Sequence, residues 1–373
     1  MDALILSCGT GGGHNSAAKA IQEELERQGH HAHMMNPYLL KSMTLTRVID
    51  NLYIFIAKKM PRFFGFIYGI AQGYRRLPGH SPVYHINKNA AFCLNQYLQE
   101  NHFDIIVTTH LYPAEMITLL KRSGISLPKT VFVATDYACI PFTEETDCDA
   151  YIIPMESLKK EFLHYGIEEE KLYPIGIPVA REFTVSKSRK EAAAELGLAT
   201  EKRYILVAGG SMGAGHIRKI VEALLAKYKE QPEVSVIVIC GSSKSLYKKL
   251  CKLNNEQLLP VQFTDKMADY LRVCDVYLSK PGGLSSSEAA TAGVPIIHIS
   301  PIPGCETKNQ RCFKKRGMSI PTGKSKERLF RALDELGSDE AKEMMIKRQH
   351  KWVNAHAAED ICRFLEDFCA SEK

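Results

Sequence analysis

Short apolar, β-branched runs alternate with longer amphipathic ones along nearly the whole chain, and that alternation is what parallel strands joined by helices require. In the first half the runs predict strands near 3–7, 31–35, 104–108, 130–135, 150–154 and 173–176, with helices clearest at 14–28 and 155–165. The pattern restarts with Tyr204-Ile205-Leu206-Val207-Ala208 and continues through 234–240, 261–263, 275–278 and 295–300. A length of 373 residues suits two domains better than one core. The expectation is an α/β protein of two Rossmann-like domains facing a central cleft, one over 1–180 and one over 203–345. From about Ser325 to Phe368 the chain reads as two helices, the second containing the only tryptophan, Trp352.

The stretch Lys280-Pro281-Gly282-Gly283-Leu284-Ser285-Ser286-Ser287-Glu288 reads as a strand end, a glycine turn and a helix start. Backbone N–H groups at a helix start are unpaired and lie at the positive end of the helix dipole, so they hold phosphate without a metal. Glu288, read in the first turn of that helix, is placed to accept from a ribose hydroxyl, and Lys280 to balance diphosphate charge. After the next strand, Pro301-Ile302-Pro303-Gly304-Cys305-Glu306-Thr307-Lys308-Asn309 reads as a turn whose Glu306 and Asn309 grip a sugar. A diphosphate between a ribose and a hexose is a nucleotide sugar.

Two glycine loops complete the pattern. Gly209-Gly210-Ser211-Met212-Gly213 follows the first strand of the second half, where Ser211 caps a helix and Gly210 and Gly213 clear an approach for phosphate. Cys8-Gly9-Thr10-Gly11-Gly12-Gly13-His14 follows the first strand of the chain. A dinucleotide fold requires an acidic residue about 20 positions on, and Asn36 and Pro37 stand there instead. His110, in Thr108-Thr109-His110, is a further strand-end histidine.

Hydrophobic and charged contents of 45% and 24% are those of a soluble globular protein. The formal charge of +6 favours anionic partners without naming them. The eleven cysteines form no C-x-x-C pair, which fits a reducing cytosol and argues against a zinc site. The chain enters a strand at Ala3 without a basic, apolar leader, so no signal peptide is expected, and no run reaches the roughly 18 apolar residues that span a bilayer. No Asp-x-Asp pair stands at a strand end, so neither a metal nor another cofactor is expected.

Between Lys41 and Lys88 the sheet pattern lapses. Phe63, Phe64, Phe66 and several tyrosines interleave with Lys58, Lys59, Arg62, Arg75 and Arg76, and Asp50 is the only acid. Such a mixture suits an interfacial helix on anionic lipid. A helical hairpin packed on the sheet with a solvated basic face is the plainer reading. Nucleic-acid binding lacks a signature here.

These motifs, in this order over roughly the first 310 residues, together with Thr135-Asp136 and Gly176-Ile177-Pro178-Val179, resemble the monogalactosyldiacylglycerol synthase and processive diacylglycerol glucosyltransferase family. The resemblance implies a GT-B fold of glycosyltransferase family 28, with the last helix, within 346–373, crossing back to the N-terminal domain. It implies an inverting transferase moving glucose or galactose from UDP-glucose or UDP-galactose to diacylglycerol or a glycosyldiacylglycerol, peripheral on the cytoplasmic face of the membrane. Gly12 and Gly13 would approach the donor, His14 or Asp136 would act as base, and Phe263 and Thr264 would pair uracil. The family commonly has glutamine where Cys305 stands, which bears on the choice of hexose. Transfer to a lipid-linked peptidoglycan precursor, a UDP-sugar 2-epimerase and a nucleotide-sugar sensor are the alternatives.

Overall fold

A computed structural model gives the fold, with residues 1–9, 12–41, 60–75, 79–209 and 217–371 described. The chain forms two compact units, Met1–Arg181 with Pro303–Cys305 and His356–Lys373, and Glu182–Ile302 with Glu306–Ala355.

The first unit is built on a parallel sheet of β1 (Asp2–Leu6), β2 (His31–Met35), β3 (Ile105–Thr108), β4 (Lys129–Val133), β5 (Ala150–Ile152) and β6 (Leu172–Tyr173), ordered β2-β1-β3-β4-β5-β6. Helices cover both faces, so inner strands are continuously apolar instead of alternating. Ala3 and Ile5 pack with Ile21 and Leu25 of the Gly12–Arg27 helix, whereas Leu4 and Leu6 face Leu94 and Ile117.

The last helix, Ala357–Ala370, belongs to this unit and buries Ile361 and Leu365 against Ile5, Val107 and Val131. Each such burial is worth about 1.5–3 kcal/mol. Lys129 Nζ donates to the Phe368 carbonyl at 2.6 Å, placing a cation at the helix C-terminus, where the dipole favours it.

The second unit carries β7 (Arg203–Ala208), β8 (Val234–Ile239), β9 (Leu258–Val261), β10 (Val276–Ser279), β11 (Ile296–Ile299) and β12 (Ile320–Gly323), all parallel and ordered β12-β11-β10-β7-β8-β9. This is the doubly wound dinucleotide-fold order, whose switch point lies between β7 and β10. In the first sheet the corresponding point lies between β1 and β3.

Three features differ from the sequence expectation. β12 has no counterpart in it, since Pro321 and Gly323 are poor strand formers. β9 lies three residues earlier than the expected 261–263, leaving Phe263 beyond the strand. Both are edge strands, where proline is tolerated because one side of the backbone has no strand to bond. The C-terminal region holds three helices instead of two, with Trp352 ending the middle one.

Within the insert, the described residues include a helix, Pro61–Tyr74, begun by a proline at its first position, and a short Ser81-capped helix, Pro82–Ile86. Lys58, Lys59, Arg76 and the Arg62 side chain lie outside the described residues.

Candidate active site

In the first unit the carboxyl ends of β1, β3 and β4 bring together His14, Thr109, Thr135 and Asp136, which line one narrow space with Phe132, Ile140 and Phe162. His14 is the third residue of the helix that Gly12 and Gly13 begin. Its Nδ1 lies 2.9 Å from the Thr109 carbonyl oxygen and 2.8 Å from Thr135 Oγ1. A carbonyl only accepts, so Nδ1 carries the proton and Nε2 is left with its lone pair. Burial lowers the His14 pKa below its ordinary 6.5, opposed by the Asp136 charge and the Thr109 bond. The imidazole is therefore neutral at pH 7, the form a general base needs.

His110 is the N-cap of the Leu111–Arg122 helix, its Nδ1 accepting from Tyr112 N at 3.1 Å. Its ring meets that of His14 edge to face at 4.6 Å, and burial holds its pKa well below 6.5. It supports the His14 ring from a capping position. The strand-end spacing pointed to His110 but not to Thr109, whose carbonyl sets the tautomer, or to a role for Thr135.

In the second unit the turn after β10 leads through Lys280, which is buried with 7% of its surface exposed. Gly282 is the N-cap of the Gly283–Thr291 helix and offers no side chain to its first N–H groups. An anion can occupy such a start. Behind it, His298 Nε2 bonds Ser286 Oγ at 3.1 Å and Nδ1 bonds Ser319 Oγ at 2.9 Å, with burial lowering the imidazole to about 3. That trio pins the helix to β11.

Glu288 sits in the second turn of this helix, not the first, because the helix begins at Gly283. Burial, with the nearby Glu182 charge, pushes its carboxyl up to about 7. Phe263 is 73% exposed and so is no part of the core, and Thr264 Oγ1 accepts from Lys266 N at 3.0 Å. Gly210, Ser211 and Gly213 lie outside the described residues.

Glu306 and Asn309 occupy the first turns of a helix, Cys305–Lys315, instead of an open turn. The Glu306 carboxylate accepts the Ile302 N–H at 2.5 Å, and Asn309, fully buried, donates Nδ2 to the Pro281 carbonyl at 3.0 Å. Asn309 thereby ties this helix to the glycine turn after β10, a structural duty the sugar-gripping expectation did not include. Ser300, at the end of β11, was not among the expected residues. Its backbone is left-handed, with φ 40°, and its hydroxyl is buried without a hydrogen-bond partner among the described residues.

Arg75 departs most from expectation. Its guanidinium pairs bidentately with Glu144 at 2.7 and 2.5 Å and lies 3.3 Å from the Tyr165 ring centroid, with 1% of the side chain exposed. It anchors the Pro61–Tyr74 helix inward instead of meeting solvent. On the same helix Phe63, Phe66, Ile67 and Ile70 are exposed, a stripe at i, i+3, i+4 and i+7, while Phe64 is half-buried.

Two parallel sheets in these orders, with the candidate side chains collected at strand carboxyl ends, define the GT-B fold class. Residues 14–179 match the monogalactosyldiacylglycerol (MGDG) synthase family and residues 204–361 the glycosyltransferase family 28 C-terminal domain. The chain thus carries both domains, one after the other. It is 26% identical over 373 residues to a processive diacylglycerol beta-glucosyltransferase of Bacillus pumilus (strain SAFR-032), covering 98% of this chain and 93% of that protein. Among solved structures it resembles Acinetobacter baumannii MurG at 16% identity and TM-score 0.63, covering 98% and 99% of the two chains. It also resembles the S. aureus MnaA–UDP co-structure at 12% identity and TM-score 0.67, covering 99% and 97%.

Proposed function

We propose that the protein transfers a hexose, with inversion, from UDP-glucose or UDP-galactose to diacylglycerol or a glycosyldiacylglycerol while docked on the cytoplasmic face of a membrane. Residues 1–180 serve the acceptor and the membrane, and residues 203–345 hold the UDP-sugar. The observation that carries the reading is the exposed stripe Phe63-Phe66-Ile67-Ile70 in the unit that also holds a neutral, oriented His14. A family transferase acting on a water-soluble acceptor has no use for such a face. No helix among the described residues is long and apolar enough to cross a membrane, so docking is peripheral.

Chemically, His14 Nε2 takes the proton of the acceptor hydroxyl as its oxygen forms a bond to the anomeric carbon from the face opposite UDP. The bond from that carbon to the diphosphate oxygen breaks, and UDP leaves with the electron pair. The N-terminus of Gly283–Thr291 and buried Lys280 stabilise the charge that develops there. Glu288 takes the ribose and exposed Phe263 the uracil. The Bacillus relative's name supports glucose as the sugar. An epimerase would leave the apolar stripe unemployed.

UDP release measured with and without diacylglycerol in mixed micelles tests the reading. Release that depends on the lipid supports it, and release or sugar interconversion indifferent to the lipid refutes it.

A further inference from the structure

The inward face of the Pro61–Tyr74 helix holds polar atoms that its packing leaves unused. The Tyr68 hydroxyl and Gln72 Nε2, one turn apart, are both buried with no hydrogen-bond partner among the described residues. Gln72 Oε1 accepts from Arg75 Nη1 at 3.3 Å, which fixes the amide so that its unsatisfied end is the donor. Burial raises the Tyr68 phenol above its ordinary pKa, aided by the nearby Cys305 and Asp136 and opposed by the approach of the Gln72 amide, so it too remains a donor. Leaving a buried donor unpaired is costly, buried polar groups are as a rule paired, and the acceptors of a bound ligand would satisfy two such donors at one place.

The helix is held there by close approach. A Cβ on Gly65 would come 2.5 Å from Pro303 Cβ, and one on Gly304, whose φ is +119°, would come 2.9 Å from the Tyr68 ring. Only glycine fits at either position. Tyr68, Gln72, Asp136 and Cys305 thus lie in one unit.

We infer that Tyr68 Oη and Gln72 Nε2 form a subsite that donates hydrogen bonds to the hydroxyls of a sugar, and that they thereby set sugar selectivity. The inference rests on the glycosyltransferase reading above. Two sugars offer this chemistry, the hexose of the donor and the sugar of an already glycosylated lipid acceptor.

Tyr68→Phe keeps the ring against Gly304 and removes one donor, and Gln72→Met removes the other at similar volume. Both variants are compared with wild type for the KM of UDP-hexose, the Kd of UDP, and turnover on diacylglycerol against monoglycosyldiacylglycerol, with the thermal midpoint as a check of folding. If the subsite takes the donor hexose, the UDP-hexose KM rises about 3- to 10-fold while UDP Kd is unchanged. If it takes the acceptor sugar, only the glycosylated lipid is used less well, by a similar factor. Variants equal to wild type in every one of these readouts overturn the inference while leaving the transferase reading intact. A wild type that releases no UDP with any lipid acceptor overturns both.

Discussion

His14 donates from Nδ1 to the carbonyl oxygen of Thr109 at 2.9 Å, and this bond decides which imidazole nitrogen is available for chemistry. A residue on the helix after β1 is thereby oriented by the end of β3, across the switch point of the first sheet.

The base assignment is tested by pH. His14→Ala is expected to lower kcat by about 100-fold or more with UDP binding nearly unchanged. In the wild type the acid limb of the kcat profile is expected below pH 6.5, because burial lowers the His14 pKa. The Asp136 charge raises that pKa, so in Asp136→Asn the limb moves to still lower pH and activity above it is retained. If Asp136→Asn instead abolishes turnover while His14→Ala does not, the base is Asp136.

Glu288 gives a proton-linked signature. Its folded pKa is raised to about 7, so near neutrality part of the population is protonated. A ribose hydroxyl donating to the carboxylate favours the ionised form, lowers the pKa and releases protons. Calorimetry of UDP binding at pH 7 in two buffers of different ionisation enthalpy should show more proton release for wild type than for Glu288→Gln. The same raised pKa means that stability contributed by the protonated form is full below about pH 4.5 and is lost as pH rises through about 7. Glu288→Gln should therefore gain in relative stability from pH 5 to pH 8.

The architecture was legible in the residues because parallel strands buried on both faces read as nearly continuous apolar runs, as Ile105–Thr108 and Val234–Ile239 do. The edges were not, because Pro260 and Pro321 contradict strand propensity where the sheet can ignore it. His14 and the glycine turn after β10 stood out because chemistry restricts residue type at strand ends. Thr109, Tyr68 and Gln72 did not, since their significance is a carbonyl direction and missing partners, which no local pattern encodes. Arg75 misled for the converse reason: a cation among aromatics looks the same in sequence whether it meets lipid or a buried carboxylate.

Arg75→Ala is expected to act on stability. Removing one partner of a buried ion pair costs about 3–5 kcal/mol, and Glu144 would be left without its guanidinium. Denaturant unfolding should show that loss, whereas a variant that only weakened vesicle binding at wild-type stability would return Arg75 to the surface set.

The exposed stripe carries the membrane prediction. Replacing Phe63 and Phe66 by serine should weaken sedimentation with anionic vesicles by about tenfold or more, since each buried ring is worth about 1.5–3 kcal/mol, and should leave the unfolding midpoint nearly unchanged because both rings are exposed. Wild type that fails to sediment at low salt would reduce the stripe to ordinary surface.

The central claim is a lipid-linked hexosyl transfer. Purified protein incubated with diacylglycerol in mixed micelles and, separately, UDP-glucose, UDP-galactose and UDP-N-acetylglucosamine, with the lipid fraction resolved by mass, tests it most directly. A lipid heavier by one or more hexosyl units is expected with UDP-glucose or UDP-galactose, and is expected to disappear in His14→Ala. An unaltered lipid fraction with every donor, accompanied by epimerised nucleotide sugar or by no turnover, would contradict that claim.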